Sequence, residues 1–242
     1  MATLTVYPSL DGRIYNDEST GSWANCRAGT GGILGVGTTS ATDPAIQGER
    51  NTNYNLSRCA YLFDTSALTA AATISAATFS VYSAAGGSNT ETVNPANLTI
   101  CASSPASNTS LATSDFNNFG TTKLSDTVLS LTTFNTTQQY YDFALNASGL
   151  SAISKTSITK LAIRSENDYS DSTAPGGNPK RSYGLVYFSE QTGTSNDPKL
   201  VITYTAAAGP ANLKSFNGVA KASIKSINGT AIGSIKSVNG VT

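Results

Sequence analysis

Asp17 beside Glu18, and Glu166, Asp168 and Asp171 within one short stretch, are the places where this sequence sets carboxylates close together. Two carboxylates at a suitable separation can hydrolyse a glycosidic bond, one as acid and one as base or nucleophile. Both groups lie in polar, turn-rich text, where carboxylates are ordinarily solvated, and no acid/base constellation gathers around them. The chain contains no histidine. That removes Ser-His-Asp and Cys-His catalysis and the commonest zinc ligand. Cys26, Cys59 and Cys101 are odd in number, widely spaced and form no C-x-x-C pair, so they read as buried free thiols. "GTGGILG" (29–35) has the wrong spacing for a phosphate loop and no helix after it. The sequence therefore points away from an enzyme.

What remains is binding chemistry. The oxygen-rich segment around Asp168 and Asp171 suits a hard cation, so a structural Ca²⁺ held by these two carboxylates and loop carbonyls is one expectation; no other cofactor is implied. Trp23, the only tryptophan, can serve as a stacking platform for a sugar or as a packed edge residue. Arg164, in "AIRSEND", can hold a carboxylated sugar, or pair internally with Glu166 or Asp168. Trp23, Arg164, Glu166 and Asp168 are thus the candidate glycan-binding set.

These residues must be positioned by short strands. "TLTVYP" (3–8), "GILGVG" (32–37), "SRCAYLFD" (57–64), "ATFSVYS" (77–83), "NLTICAS" (97–103), "YYDFALN" (140–146), "TKLAIRS" (159–165), "GLVYFSE" (184–190) and "KLVITYT" (199–205) are separated by Gly, Asn, Asp and Pro clusters. Many short strands without a long helical period predict an antiparallel β-sandwich or jelly roll. In 57–64, Cys59, Tyr61 and Phe63 share one face and Ala60 and Leu62 the other, so this strand is expected to be buried on both sides. The Ala-rich 65–77 reads as a loop with at most one turn. "NASGLSAISK" (146–155) reads as a short helix, and the polar stretches 38–56 and 166–182 as loops.

With 242 residues the chain accommodates one large all-β domain and an appendage. Lys+Arg and Asp+Glu are 15 each, which gives no overall field to attract nucleic acid or anionic lipid. No run approaches the roughly 20 apolar residues of a membrane span. "MATLTVYPSLDGRIY" lacks a basic segment followed by an apolar one, so synthesis in the cytoplasm without export is expected.

The segments "RCAYLFDTSAL" (58–68), "ATISAATFSVY" (72–82), "TKLAIRSEND" (159–168) and "DPKLVITYT" (197–205) resemble the DNRLRE family, grouped with carbohydrate-binding module family 96. The resemblance implies an antiparallel jelly roll over 1–205, often appended to extracellular or surface proteins and sometimes binding acidic polysaccharide. No catalytic partner domain and no export signal accompany it here, so fold carries over better than function.

At "AAAGPAN" (206–212) the composition shifts and Gly209-Pro210 breaks the chain, which marks a linker. Beyond it an 11-residue unit begins at Leu213, Ile224 and Ile235, each followed by Lys-Ser, then by Phe216, Ile227 or Val238, then by Asn-Gly. Asn-Gly is the strongest short hairpin signal, since both residues accept positive φ, so each unit reads as strand, turn, strand. Thirty residues of this kind cannot bury a core alone. Leu213, Phe216, Ile224, Ile227, Ile235 and Val238 are expected to assemble the chain, through stacking of three tails or addition to a neighbouring sheet edge. The tail is similar to the "IKSxNGxA" ends common on structural proteins of bacteriophages. These features together predict a non-catalytic virion protein, such as a capsid decoration, head fibre or tail-associated component. Its partners would be itself, as a homotrimer, and other virion proteins. A carbohydrate-binding module for surface polysaccharide or host attachment is the alternative.

Overall fold

One strand, Tyr54–Asp64, carries apolar side chains on both faces, and the fold is built around it. The structure, a computed structural model, describes residues 1–38, 42–50, 53–89, 97–170, 180–206 and 213–239. In chain order the body strands are β1 (Ala2–Val6), β2 (Pro8–Glu18), β3 (Gly32–Gly37), β4 (Thr42–Arg50), β5 (Tyr54–Asp64), β6 (Thr73–Tyr82), β7 (Ser88–Asn89), β8 (Asn97–Ser103), β9 (Phe119–Lys123), β10 (Leu129–Ser130), β11 (Tyr140–Ala144), β12 (Ile158–Ser165), β13 (Lys180–Tyr187) and β14 (Lys199–Thr205). Four short helices intervene: α1 (Trp23–Ala28), α2 (Leu131–Phe134), α3 (Ala147–Ala152) and α4 (Glu166–Tyr169).

The strands form an antiparallel β-sandwich, the class that the strand pattern predicts. One sheet has four strands in the order β1-β14-β6-β11; the other has ten, centred on β5. β2 pairs along one edge of β5, from Phe63 to Tyr54. β12 and β4 share the other edge, β12 over Cys59–Asp64 and β4 over Tyr54–Leu56. Neighbours are often far apart in sequence, as in a jelly roll: the chain's first strand lies beside its last body strand.

The two-faced pattern of β5 separates two cores. Cys59, Tyr61 and Phe63 point between the sheets and pack with Phe79, Val81, Phe143, Ile163, Leu200 and Ile202. Leu56, Ala60 and Leu62 point the other way, into a second cluster with Ile14, Cys26, Phe116 and Phe119. The second core is closed by α1 and a 3₁₀ turn at Thr113–Asn117. Helix α1 starts where Ser22 accepts from the Asn25 N–H and ends at Gly29, whose φ is 71°. Only glycine suits that position, because a Cβ there would also meet Phe116 Cδ1 at 2.7 Å.

The structure corrects several sequence readings. Residues 38–56 are not simply a loop: β4 lies within them and pairs with β13 across Thr42–Arg50. The backbone ladder defines that strand, and polar composition alone cannot exclude one. β13 likewise begins at Lys180, inside the stretch read as loop to 182, and Glu166–Tyr169 is a helical turn. β2 was missed beyond Pro8, because Asp11, Gly12, Asn16 and Asp17 look like turn residues. In 65–77 the single 3₁₀ turn at Ser66–Leu68 is present, but β6 already starts at Thr73. The short helix expected within 146–155 is α3, capped by the Asn146 side chain on Gly149 N–H.

The tail folds as its Asn-Gly signals predict. β15 (Ser215–Phe216) pairs with β16 (Val219–Ala220), and β17 (Ser226–Ile227) with β18 (Thr230–Ala231). Asn217, Asn228 and Asn239 sit at φ values of 47°, 48° and 47°, the left-handed conformation that a two-residue hairpin loop needs. The first two units repeat each other bond for bond. Lys221 N–H donates to Lys214 carbonyl and Ile232 N–H to Lys225 carbonyl, both at 2.9 Å.

Candidate functional site

Two of the predicted residues, Arg164 and Asp168, meet in a buried ion cluster with Arg58. α4 follows β12 directly, and its cap is Ser165, which accepts from Asp168 N–H. That turn carries the Asp168 carboxylate inward beneath β5 and β12. There Arg58, from β5, donates Nε and Nη2 to the two carboxylate oxygens at 2.8 and 2.7 Å. Arg164, from β12, donates Nε at 2.8 Å. Arg27, from α1, donates to the Asp168 carbonyl at 2.8 Å through Nη2. Further guanidinium hydrogens of Arg58 and Arg164 go to the carbonyls of Arg27, Phe116, Gly120 and Asp168 itself.

Asp168 is fully buried. Burial alone would raise its pKa, but the hydrogen bonds and charges of Arg58 and Arg164 outweigh it and hold the carboxyl below the usual range. Both carboxylate oxygens are therefore occupied by arginine, and Arg164 takes the internal-pairing role that was one of its two predicted readings. The expected Ca²⁺ site is corrected accordingly: Asp168 could reach a cation only by surrendering two guanidinium partners. Asp171 lies outside the described residues. Glu166 accepts from Lys123 Nζ at 3.1 Å and from Asn97 Nδ2 at 3.0 Å, half-exposed beside the cluster. Trp23 sits on α1 and packs on Tyr54, ring centroids 5.4 Å apart, against the second core. The four proposed glycan residues thus fail to form an open platform: two are sealed and Trp23 serves packing.

The other sequence candidates have structural roles too. Glu18 accepts from the backbone of Thr20 and Ser22 and so fixes the entry to α1. Burial raises its pKa, but these bonds win and lower it. All three cysteines are buried and outside any disulfide. Burial pushes the Cys26 thiol up to about 12 and the Cys101 thiol to about 11, so neither is a thiolate nucleophile near neutral pH. Among the described residues, no three His, Cys, Asp or Glu side chains come together as a metal set. No helix among them is long and apolar enough to cross a membrane.

Sequence reasoning missed Arg58 and Asp11. A signal existed for both, since a charge inside a two-faced apolar strand or beside its partner must find a counterpart. Asp11 is buried, on β2 opposite Tyr61, and accepts from Ser189 Oγ at 2.6 Å and Ser189 N–H at 3.1 Å. Desolvation raises its pKa to about 7, with Glu190 and Asp197 adding to the rise and the Ser189 bonds opposing it. A raised carboxyl pKa stabilises the fold fully below its unfolded value, near 3.8, and that contribution is lost as pH climbs through about 7. Asp11→Asn removes the titration while keeping an acceptor for Ser189. Relative to wild type, the variant is expected to gain about 2–3 kcal/mol between about pH 5 and about pH 8. Urea melts at the two pH values measure this, and parallel pH profiles for the two proteins would refute it.

The assembly residues divide by position in the repeat. Leu213 and Ile224 are buried within the chain, while Phe216, Ile227, Ile235 and Val238 are half-exposed. A shallow recess lined by Leu68, Thr69 and Tyr204 of the body and Lys225, Ala231 and Ile232 of the tail, among others, lies where the tail meets the sandwich. The six residues are therefore not equivalent: two are buried and four keep part of their surface in water.

No family model matches this chain, and no curated protein does.

Proposed function

We propose that this chain is a non-catalytic structural protein of a bacteriophage particle, with a β-sandwich body and a C-terminal repeat that docks it into an assembly. The observation that carries the reading is the tail: two successive hairpins of one design leave Phe216 and Ile227 partly in water, and Val238 at the matching place of the third unit is half-exposed too. Covering each such side chain in a contact contributes part of the ~1.5–3 kcal/mol that complete burial would give. One unit alone adds little, and repetition makes the sum useful. The likeness of the tail to the ends of phage structural proteins, and of the body to jelly-roll surface modules, supports the same reading. Burial of the Arg58–Arg164–Asp168 cluster and of the three thiols fits a scaffold.

Deletion of 207–242 is expected to leave a folded body that loses its self-association and its incorporation into particles. Light scattering reads the first and mass spectrometry of purified particles the second. Equal mass for both forms together with normal incorporation of the truncated one would refute the reading.

A separate observation favours polysaccharide attachment as a second reading. Tyr82, Tyr140 and Tyr187 form a half-exposed ladder, with ring centroids 5.0 and 5.7 Å apart. The Tyr82 hydroxyl donates to Gln138 carbonyl, and the Tyr140 hydroxyl to the carbonyls of Ser195 and Asp197. The rings meet edge to face, at 89° and 65°, and the Lys199 ammonium lies over Tyr140, 3.7 Å from its centroid; the half-exposed, fixed faces that remain suit contact with a sugar.

A further inference from the structure

The zero net charge of the chain conceals a division. The tail, 213–242, holds Lys214, Lys221, Lys225 and Lys236 and no acidic residue. Residues 1–212 therefore hold 11 basic and 15 acidic residues, so the two parts carry equal and opposite net charges of four. The structure arranges this charge. Lys214, Lys225 and Lys236 occupy the same place in each unit and are all exposed. Each lies two residues before the half-exposed Phe216, Ile227 or Val238, and on an extended chain residues two apart face the same side. Leu213 and Ile224, which precede two of these lysines, are buried. Every unit thus presents a cation and an apolar side chain together, at an 11-residue interval.

From this arrangement we infer that the exposed tail face docks on the acidic body of a second copy of this chain, instead of bundling with other tails. The inference rests on the assembly reading above and names its partner surface. Three tails around one axis would bring twelve lysines together with no acidic side chain among them. Like charges set face to face oppose association. The body supplies the complement: Asp17, Asp64, Asp126, Asp142 and Glu190 are exposed carboxylates among the described residues. Asp142 lies on β11, an open edge of the four-stranded sheet. The apolar member of each pair gives the contact a part that salt does not screen, and the lysine sets register and sign.

The test uses the full chain and compares wild type, Lys214→Glu/Lys225→Glu/Lys236→Glu, and the same three positions changed to Gln. Sedimentation is followed at about 0.05 M and about 1 M salt, across which the screening length falls several-fold. Wild type is expected to associate at low salt and to weaken by at least roughly tenfold at high salt, as the loss of a few exposed ion pairs would give. The Glu variant is expected to be monomeric at both, and the Gln variant weaker than wild type but nearly indifferent to salt. Association that strengthens with salt would overturn the inference in favour of tail bundling. So would a wild type that is monomeric throughout, since the second copy would then not be the partner. If the lysine variants match wild type while deletion of 207–242 still abolishes association, the assembly reading stands and this inference falls.

Discussion

Asp168→Ala is expected to destabilise the body by at least about 3–5 kcal/mol, the usual consequence of leaving a buried charge without its partner. Here one carboxylate serves two arginines. Its removal strands the Arg58 and Arg164 guanidinium groups, whose side chains are 5 and 4% exposed. Their remaining bonds run to backbone carbonyls and, from Arg58, to the Asn117 amide oxygen, none of which supplies a counter-charge. The damage would spread, because Asp168 joins α4 to β5, to β12 and, through Arg27, to α1. Changing Arg58 to Met in the same chain should recover part of the loss, since an apolar side chain needs no partner there. The pH dependence has the opposite sense to that of Asp11. Asp168 has a lowered pKa, so its contribution is complete above the unfolded value near 3.8 and disappears as pH falls through the lower folded value. Urea melts near neutral pH decide the matter. A loss below about 1 kcal/mol would mean that the arginines find water or other partners, and that the cluster does not hold the body together.

Phe63→Ala is expected to cost about 3–5 kcal/mol. The ring is fully buried between the sheets and lies edge-on to Phe79, centroids 5.7 Å apart and planes at 76°. Strands on either side, β2 and β12, fix the backbone of β5 along this segment. The sheets therefore have little freedom to collapse into the space, and the cost should approach the upper part of that range. Denaturant melts in which the variant loses less than about 1 kcal/mol would place this side chain outside the core.

These two residues show where sequence reasoning reached and where it stopped. Phe63 could be assigned from alternation alone: with apolar residues at consecutive positions from Cys59 to Phe63, an extended chain must bury both of its faces. The Asn-Gly pairs of the tail were legible for a similar reason, because two-residue turns demand positive φ and this dipeptide meets the demand. Both are local rules, settled within a few residues of chain. β4 escaped because its strand character comes from pairing with β13, a partner some 140 residues away. Asp168 was read as a ligand because it stands in polar text. The residue that determines its role, Arg58, is 110 positions distant.

The sequence by itself determined the all-β class, the doubly buried central strand and the turn chemistry of the tail, since these follow from side-chain periodicity and backbone preference. Tertiary structure alone decided the fate of the charged residues. It sealed Arg164 and Asp168 into an ion cluster, raised the pKa of Asp11, and buried one member of the first two apolar pairs, Leu213 and Ile224, but neither member of the third. The physical reason is the same in each case: the energy of a charge or an exposed apolar group depends on which distant groups fold against it, and spacing along the chain does not specify them.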